Sequence, residues 1–327
     1  MMRKMTKKIN RPHLSIPITL DEVLESLEDT EASLSSSLLA ELSDLDPVSS
    51  SEFRKVWDTL DANRRHKILL RLSELAEENV ELNFDTLFKI GLEDKDSEVR
   101  LAAIDGLWEN QQAWLQRELV RMAKEDESEV VQVASIQALE RFCLVAELNN
   151  KQETGKHLAE VLLSLFESPS SSVEMRRRSL EAMSPLDLPE IHNALRTSFY
   201  SKDRSLKVSA VYGMGGSCNP VWLPLLLPEL QNTDPEFRYE AAHACGEIGE
   251  EDAVNGLISL LEDEDRDVQL AAIQALGKIG GKDAIEALNS LLESPDELLR
   301  DITQQSLYEL ELYHDPFSPE SLDLDTE

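Results

Sequence analysis

The chain has 327 residues, 41% of them hydrophobic and 5% aromatic, and its 64 Asp and Glu against 32 Lys and Arg give a formal net charge of −32 at pH 7. A surface that negative repels phosphate backbones and anionic headgroups, which excludes nucleic acid and membrane surfaces as partners. Scarce aromatics alongside abundant Leu and Ala fit helix-on-helix packing rather than a β core, and no stretch approaches the ~18 consecutive apolar residues of a membrane span.

Residues 1–50 differ from the rest. A basic tip (Arg3, Lys4, Lys7, Lys8, Arg11) has no apolar stretch after it and so does not read as a secretory signal. Acid-rich and Ser-rich runs follow, and the segment is expected to be a flexible or loosely docked leader, with short helical pieces at 20–28 and 37–44. From 51 to 312 the helical pattern is continuous. Phe53, Val56, Trp57 and Leu60 share one face, and Ile68, Leu69, Leu72 and Leu75 share the next, as a degenerate first repeat serving as a cap. Residues 313–327 form an acidic tail.

One pattern then recurs seven times: a large apolar anchor, small residues three and four positions on, and an apolar residue eight positions on. The anchors are Val99, Val131, Met175, Leu206, Phe237, Val268 and Leu299, and five of the six steps between them are 31 or 32 residues. The remaining step of 44 holds an insertion. A fixed period of this length means stacked helical hairpins. The predicted first helices (A) cover 83–92, 113–124, 156–167, 189–200, 221–231, 252–262 and 283–293, and each anchor opens a second helix (B). Asp96, Asp203, Asp234 and Asp265 stand where a carboxylate caps helix B, Pro235 suits a first helical position, and Gly249, Gly280 and Gly281 suit helix ends. With the anchor as zero, positions 3, 4 and 7 hold Ala102, Ala103 and Gly106 in one copy and Ala271, Ala272 and Ala275 in another, so that neighbouring helices can approach closely.

Asp96-Ser-Glu-Val-Arg100-Leu-Ala-Ala-Ile, Asp234-Pro-Glu-Phe-Arg238-Tyr-Glu-Ala-Ala and Asp265-Arg-Asp-Val-Gln-Leu-Ala-Ala-Ile make roughly 80–310 resemble the short HEAT-like repeat found in phycobilisome-lyase subunits and many bacterial proteins. The resemblance implies an all-α, right-handed α-α superhelix, a HEAT/armadillo-like solenoid of about eight helix pairs, and it is silent on activity because the repeated residues are packing residues. It also implies that the basic residue at position 1 (Arg100, Arg176, Lys207, Arg238, Arg300) bridges to acidic turn residues of a neighbour. Deoxyhypusine hydroxylase, built on related repeats, uses His-Glu pairs for its di-iron site, and none of the six histidines here is followed by Glu.

Other templates for chemistry fail. Gly213-Met-Gly215-Gly216-Ser217-Cys218 lacks the closing glycine of a dinucleotide loop or nucleophile elbow and reads as a loop between repeats. Asp263, Asp265 and Asp267 have the spacing that opens a calcium loop, but Val268 and Gln274 occupy the places of its glycine and bidentate Glu. Cys143, Cys218 and Cys245 are odd in number and far apart, which points to a reducing compartment, and the expected location is cytoplasmic. No catalytic residue, cofactor or metal is expected.

The resemblance places helix B on the concave side, with positions 2, 6 and 9 facing outward. Arg177, Glu181, Tyr212, Tyr239, His243, Gln274 and Gln305 occupy them, with Asp105 and Trp108 toward the N-terminal end. Tyr212, Tyr239 and His243 form the centre of the expected partner-binding groove, since Tyr supplies much of the energy of desolvated interfaces. Arg178 and Glu240 break the small-residue rule at position 3 and must reach solvent or a partner, in a functional or a structural ion-pairing role. The expected function is a non-catalytic scaffold or adaptor holding a protein or peptide, basic in one version. The alternatives are a lyase-type subunit presenting a bilin or other tetrapyrrole to an acceptor protein, and an acidic decoy for a basic protein's nucleic-acid site.

Overall fold

The computed structural model describes residues 18–29 and 33–314, so the basic tip and the acidic tail beyond His314 lie outside the described residues. The chain forms two compact units, one up to Asn110 and one from Gln111 onward. Among the described residues every regular element is helical.

The first unit holds six helices: α1 (Leu20–Glu28), α2 (Ser36–Ala40), α3 (Pro47–Trp57), α4 (Ala62–Glu78), α5 (Asp85–Leu92) and α6 (Ser97–Gly106). Local chemistry explains its start. Thr19 Oγ1 accepts from the Glu22 N–H while the Glu22 carboxylate accepts from the Thr19 N–H, a reciprocal cap that satisfies two free donors. Val23 and Leu27, one helical turn apart, are buried, as is Leu39 of α2. The buried Arg64 of α4 donates from Nε to Leu27 O at 3.2 Å and from Nη2 to Ser26 O and Asp29 O, both at 3.0 Å. It thereby closes the carbonyl end of α1, where a cation also meets the negative end of the helix dipole. Two helices of the expected leader thus contribute side chains to this unit's core.

The second unit alternates A helices α7 (Ala113–Glu125), α9 (Gln152–Glu167), α11 (Pro189–Phe199), α13 (Leu223–Glu229), α15 (Val254–Leu260) and α17 (Lys282–Leu291) with B helices α8 (Glu129–Leu148), α10 (Val173–Met183), α12 (Arg204–Gly216), α14 (Pro235–Ile248), α16 (Arg266–Ile279) and α18 (Glu297–His314). Asp96, Asp203, Asp234 and Asp265 cap α6, α12, α14 and α16 through their carboxylates. Gly249 ends α14 at φ 78°, and Gly280 and Gly281 separate α16 from α17 at φ 68° and 83°.

Successive B helices touch through one repeated contact. A Cβ added at Gly215 would lie 2.6 Å from Ala244 Cα, one at Gly246 2.8 Å from Ala275 Cα, and one at Gly277 2.8 Å from Ser306 Cβ. A Cβ at Gly213 would lie 3.1 Å from Ser184 Cβ. Position 9 of one copy therefore meets position 7 of the next, four times over, and only small residues permit that approach. Two sequence expectations are corrected by this. Position 9 does not face outward in four copies, where Ser184, Gly215, Gly246 and Gly277 are buried, whereas Trp108 and Tyr308 at the same position are exposed as expected. Gly213, Gly215 and Gly216 are not in a loop but form the last turn of α12, where the tight contact to α14 outweighs the low helix propensity of glycine.

The position-1 residue also acts differently from what the resemblance implies. Arg100 Nη1 donates to Asp94 O, Arg238 Nη1 to Asn232 O, Gln269 Nε2 to Asp263 O and Arg300 Nη1 to Ser294 O, at 2.7–2.9 Å. Each reaches back six residues to its own turn and satisfies a carbonyl left free at the end of helix A. Lys207 and Arg238 also meet an acid of the following copy. Lys207 Nζ lies 3.0 Å from Glu229, and Arg238 holds Asp263 with two bonds of 2.7 Å, both side chains below a tenth exposed.

Candidate functional site

The B helices of the second unit carry all seven predicted contact residues, and the structure sorts them into two environments. Arg177, Arg178 and Glu181 belong to a closed network. Glu174, one turn before them on α10, accepts from Arg177 Nη1 at 2.9 Å and Arg178 Nε at 2.8 Å, and Glu181 accepts from Arg178 Nη1 at 2.8 Å. Glu181 is buried, and its second oxygen accepts from the hydroxyl of Ser209 on α12, which in turn accepts from Arg177 Nε at 3.0 Å. Two arginines against two glutamates balance charge, and the network ties α10 to α12. The long side chain at position 3, Arg178, thus finds partners on its own helix.

Tyr212 and His243, at position 6 of neighbouring copies, come together. Their rings stack with centroids 6.4 Å apart and planes inclined by 8°. The Tyr212 hydroxyl donates to Glu140 Oε1 of α8 at 3.0 Å. Burial and the Glu140 carboxylate hold its proton well above the ordinary phenol range, and burial likewise raises Glu140. His243 Nε2 lies 3.4 Å from Glu247, which also receives Lys278 Nζ, and burial holds the imidazole below its ordinary range.

Tyr239 and Glu240, which precede His243 by four and three residues on α14, line an open cavity of about 720 Å³ between α14 and α16. Tyr239 and Leu270 supply aromatic and apolar surface, while Glu236, Glu240 and Asp267 supply carboxylates and Gln274 an amide. Tyr239 is 38% exposed. Glu240 occupies position 3, where α6 and α16 place the buried Ala102 and Ala271, and it has no hydrogen bond or ion pair among the described residues. Burial, then Glu181 and Glu236, push its carboxyl up to about 7 against the opposing pull of Arg177.

Sequence reasoning did not find Glu140, Ser209 or Glu174, and it singled out Asp267 only for its calcium-loop spacing. Glu140 sits at position 9 of α8, a place occupied by Ser or Gly in the next four copies, and that departure is the signal that marks it. Glu174 and Asp267 lie in first turns, where acids are already accounted for by the helix dipole. The aspartates with calcium-loop spacing are otherwise engaged, Asp263 by Arg238 and Asp265 as the cap of α16. Among the described residues no group of three His, Cys, Asp or Glu could hold a metal ion, and no helix is long and apolar enough to cross a membrane.

Residues 223–308, α13 through most of α18, match the sequence model of HEAT repeats. No curated protein matches the chain. Among solved structures, importin beta is similar at 14% identity over 90% of this chain and 44% of its own, with a TM-score of 0.48. Human deoxyhypusine hydroxylase is similar at 18% identity over 89% and 96%, TM-score 0.36. A designed armadillo repeat protein is similar at 18% identity over 60% and 99%, TM-score 0.37.

Proposed function

The chain is a HEAT/armadillo-like repeat protein, and from that premise we propose that it is a non-catalytic scaffold or adaptor holding a basic segment of a partner protein in the groove between α14 and α16. The observation that carries this is the pairing of an exposed Tyr239 with unpartnered carboxylate at one cavity. A Lys or Arg side chain entering there finds an aromatic face for its cation and carboxylates for its hydrogen bonds, while Leu270 receives its aliphatic stem. Tyr212 of α12 and His243 of α14 form a stacked pair outside the lining of that groove, and Arg177, Arg178 and Glu181 belong to the network that ties α10 to α12.

The test is a binding measurement on the full chain, with the partner purified from the native host and titrated by calorimetry. Tyr239→Ala should weaken capture about tenfold or more, as loss of a central aromatic anchor does, while the melting temperature stays within experimental scatter. Unchanged affinity with Tyr239→Ala would reject the groove as the contact.

A further inference from the structure

Glu240 stands on a stripe where four of the seven copies place Ala or Ser. At position 3 the buried Ala102, Ser209 and Ala271 pack against neighbouring helices, and Arg178 is held by Glu174 and Glu181. Glu240 has neither solution. It is partly covered, it lines the α14/α16 cavity, and no donor reaches it.

Its electrostatic surroundings are one-sided. Glu181 faces it from α10, Glu236, itself paired with Arg204 of α12, precedes it by one turn on its own helix, and Asp267 of α16 and the cap residue Asp265 line the same cavity. Tyr212 of α12 is neutral and already donates to Glu140. On α13, Glu229 is held by Lys207. The one cation acting on Glu240 is Arg177, whose hydrogen bonds go to Glu174 and Ser209. A carboxylate so placed can be relieved in two ways, by a cation from outside or by a proton, and the two exclude each other.

We propose that Glu240 is a proton-operated gate on the α14/α16 groove: ionised, it admits the basic segment of a partner, and protonated, it releases it. The gate rests on the groove-binding function proposed above. Several facts place the transition near neutrality and on this residue. The carboxyl is pushed up to about 7, while burial moves the imidazole of His243, on the same helix, the other way, below its ordinary range. The sign also applies to the free chain. A carboxyl that holds its proton more tightly folded than unfolded contributes stability that is fully present below the ordinary Glu range and lost as pH rises through about 7. The empty groove is therefore least stable where it binds best.

The test uses the full chain and a nonapeptide carrying arginines separated by glycine and serine, in about 0.15 M salt so that remote acids are screened. Affinity is measured at about pH 8 and about pH 6, on either side of the expected transition, and the Glu240 carboxyl is followed by carbon NMR without peptide. The expected result is a carboxyl titration near neutrality with affinity about tenfold weaker at the lower pH, one decade per pH unit below the transition being the limit for a single proton. Glu240→Gln should bind weakly and alike at both values, and Glu236→Gln, a neighbouring groove carboxylate, should keep the pH dependence. Binding that does not change with pH, or a carboxyl that titrates in the ordinary Glu range, overturns the gate and leaves groove binding standing. No binding at either pH, with Glu240→Gln still folded by circular dichroism, rejects groove binding and the gate with it.

Discussion

The α10–α12 junction and the α14–α16 junction bring the same two positions of the repeat together by different means. At α14–α16, Gly246 lies against Ala275 and nothing larger intervenes. At α10–α12, Ser184 takes the place of that glycine and Gly213 the place of that alanine, and beside them runs the charged network of Arg177, Arg178, Glu181 and Ser209. The comparison teaches that close approach needs only one pair of small residues per junction. The rest of the interface is then free to be apolar, as Ala271 is, or polar, as Arg178 is, without changing how the helices step. Variation along the polar side is where such a repeat can acquire a binding function.

The regular junction can be broken directly. Gly246→Val would drive side-chain atoms into the backbone of α16, since even the first carbon falls 2.8 Å from Ala275 Cα and flexible side-chain ends are not available to yield. A destabilisation of ~3 kcal/mol, the upper range for overpacking, is expected in denaturant unfolding. Of similar size is Arg238→Met, which leaves Asp263 buried without its two hydrogen bonds and leaves Asn232 O without its donor. Breaking one side of a buried pair removes ~3 kcal/mol. A loss under ~1 kcal/mol would show that the pair is solvated in solution, as exposed pairs are.

The charged junction should respond in the opposite direction at one position. Ser184 is buried and its hydroxyl has no hydrogen-bond partner, while the corresponding residues of the next three copies are glycine. Ser184→Ala removes the unsatisfied oxygen, keeps the helix-favouring Cβ and should stabilise the chain by ~1 kcal/mol. A decrease in the urea midpoint would mean that the hydroxyl is satisfied in solution by a bound water.

These two junctions also show what could be read from residues alone. The A helices and the capping aspartates follow the predicted ranges closely, because periodic Leu and a carboxylate at a helix start are local signals. The position-9 contact was invisible for the same reason in reverse. Glycine and serine carry no amphipathic signal, so a stripe of them looks like an outward face or, in Gly213–Gly216, like a loop. The pairing of Tyr212 with His243 was not read from the sequence, although both stand at position 6 of adjacent copies. That Tyr239 lines the α14/α16 cavity and they do not was not legible either, because which outward positions open onto a cavity depends on the side chains of two helices at once. Glu240 was legible as a broken rule, but its lack of a partner was a fact of three dimensions.

The smallest expected effect sharpens the comparison from the outside of the fold. Arg266, the first residue of α16, pairs with Asp296, 30 residues on, at 2.7 Å, and Arg204 of α12 reaches Asp234 in the same way. At α14 the equivalent residue is Pro235, so the series skips a copy without any change in the glycine contact beside it. Arg266 is 52% exposed, which lets water and salt compete for the same charges. Arg266→Ala should therefore cost no more than ~0.5 kcal/mol at low ionic strength and less as salt is added. A larger, salt-insensitive loss would mean that these outer pairs, and not the glycine contact alone, hold the B helices in step.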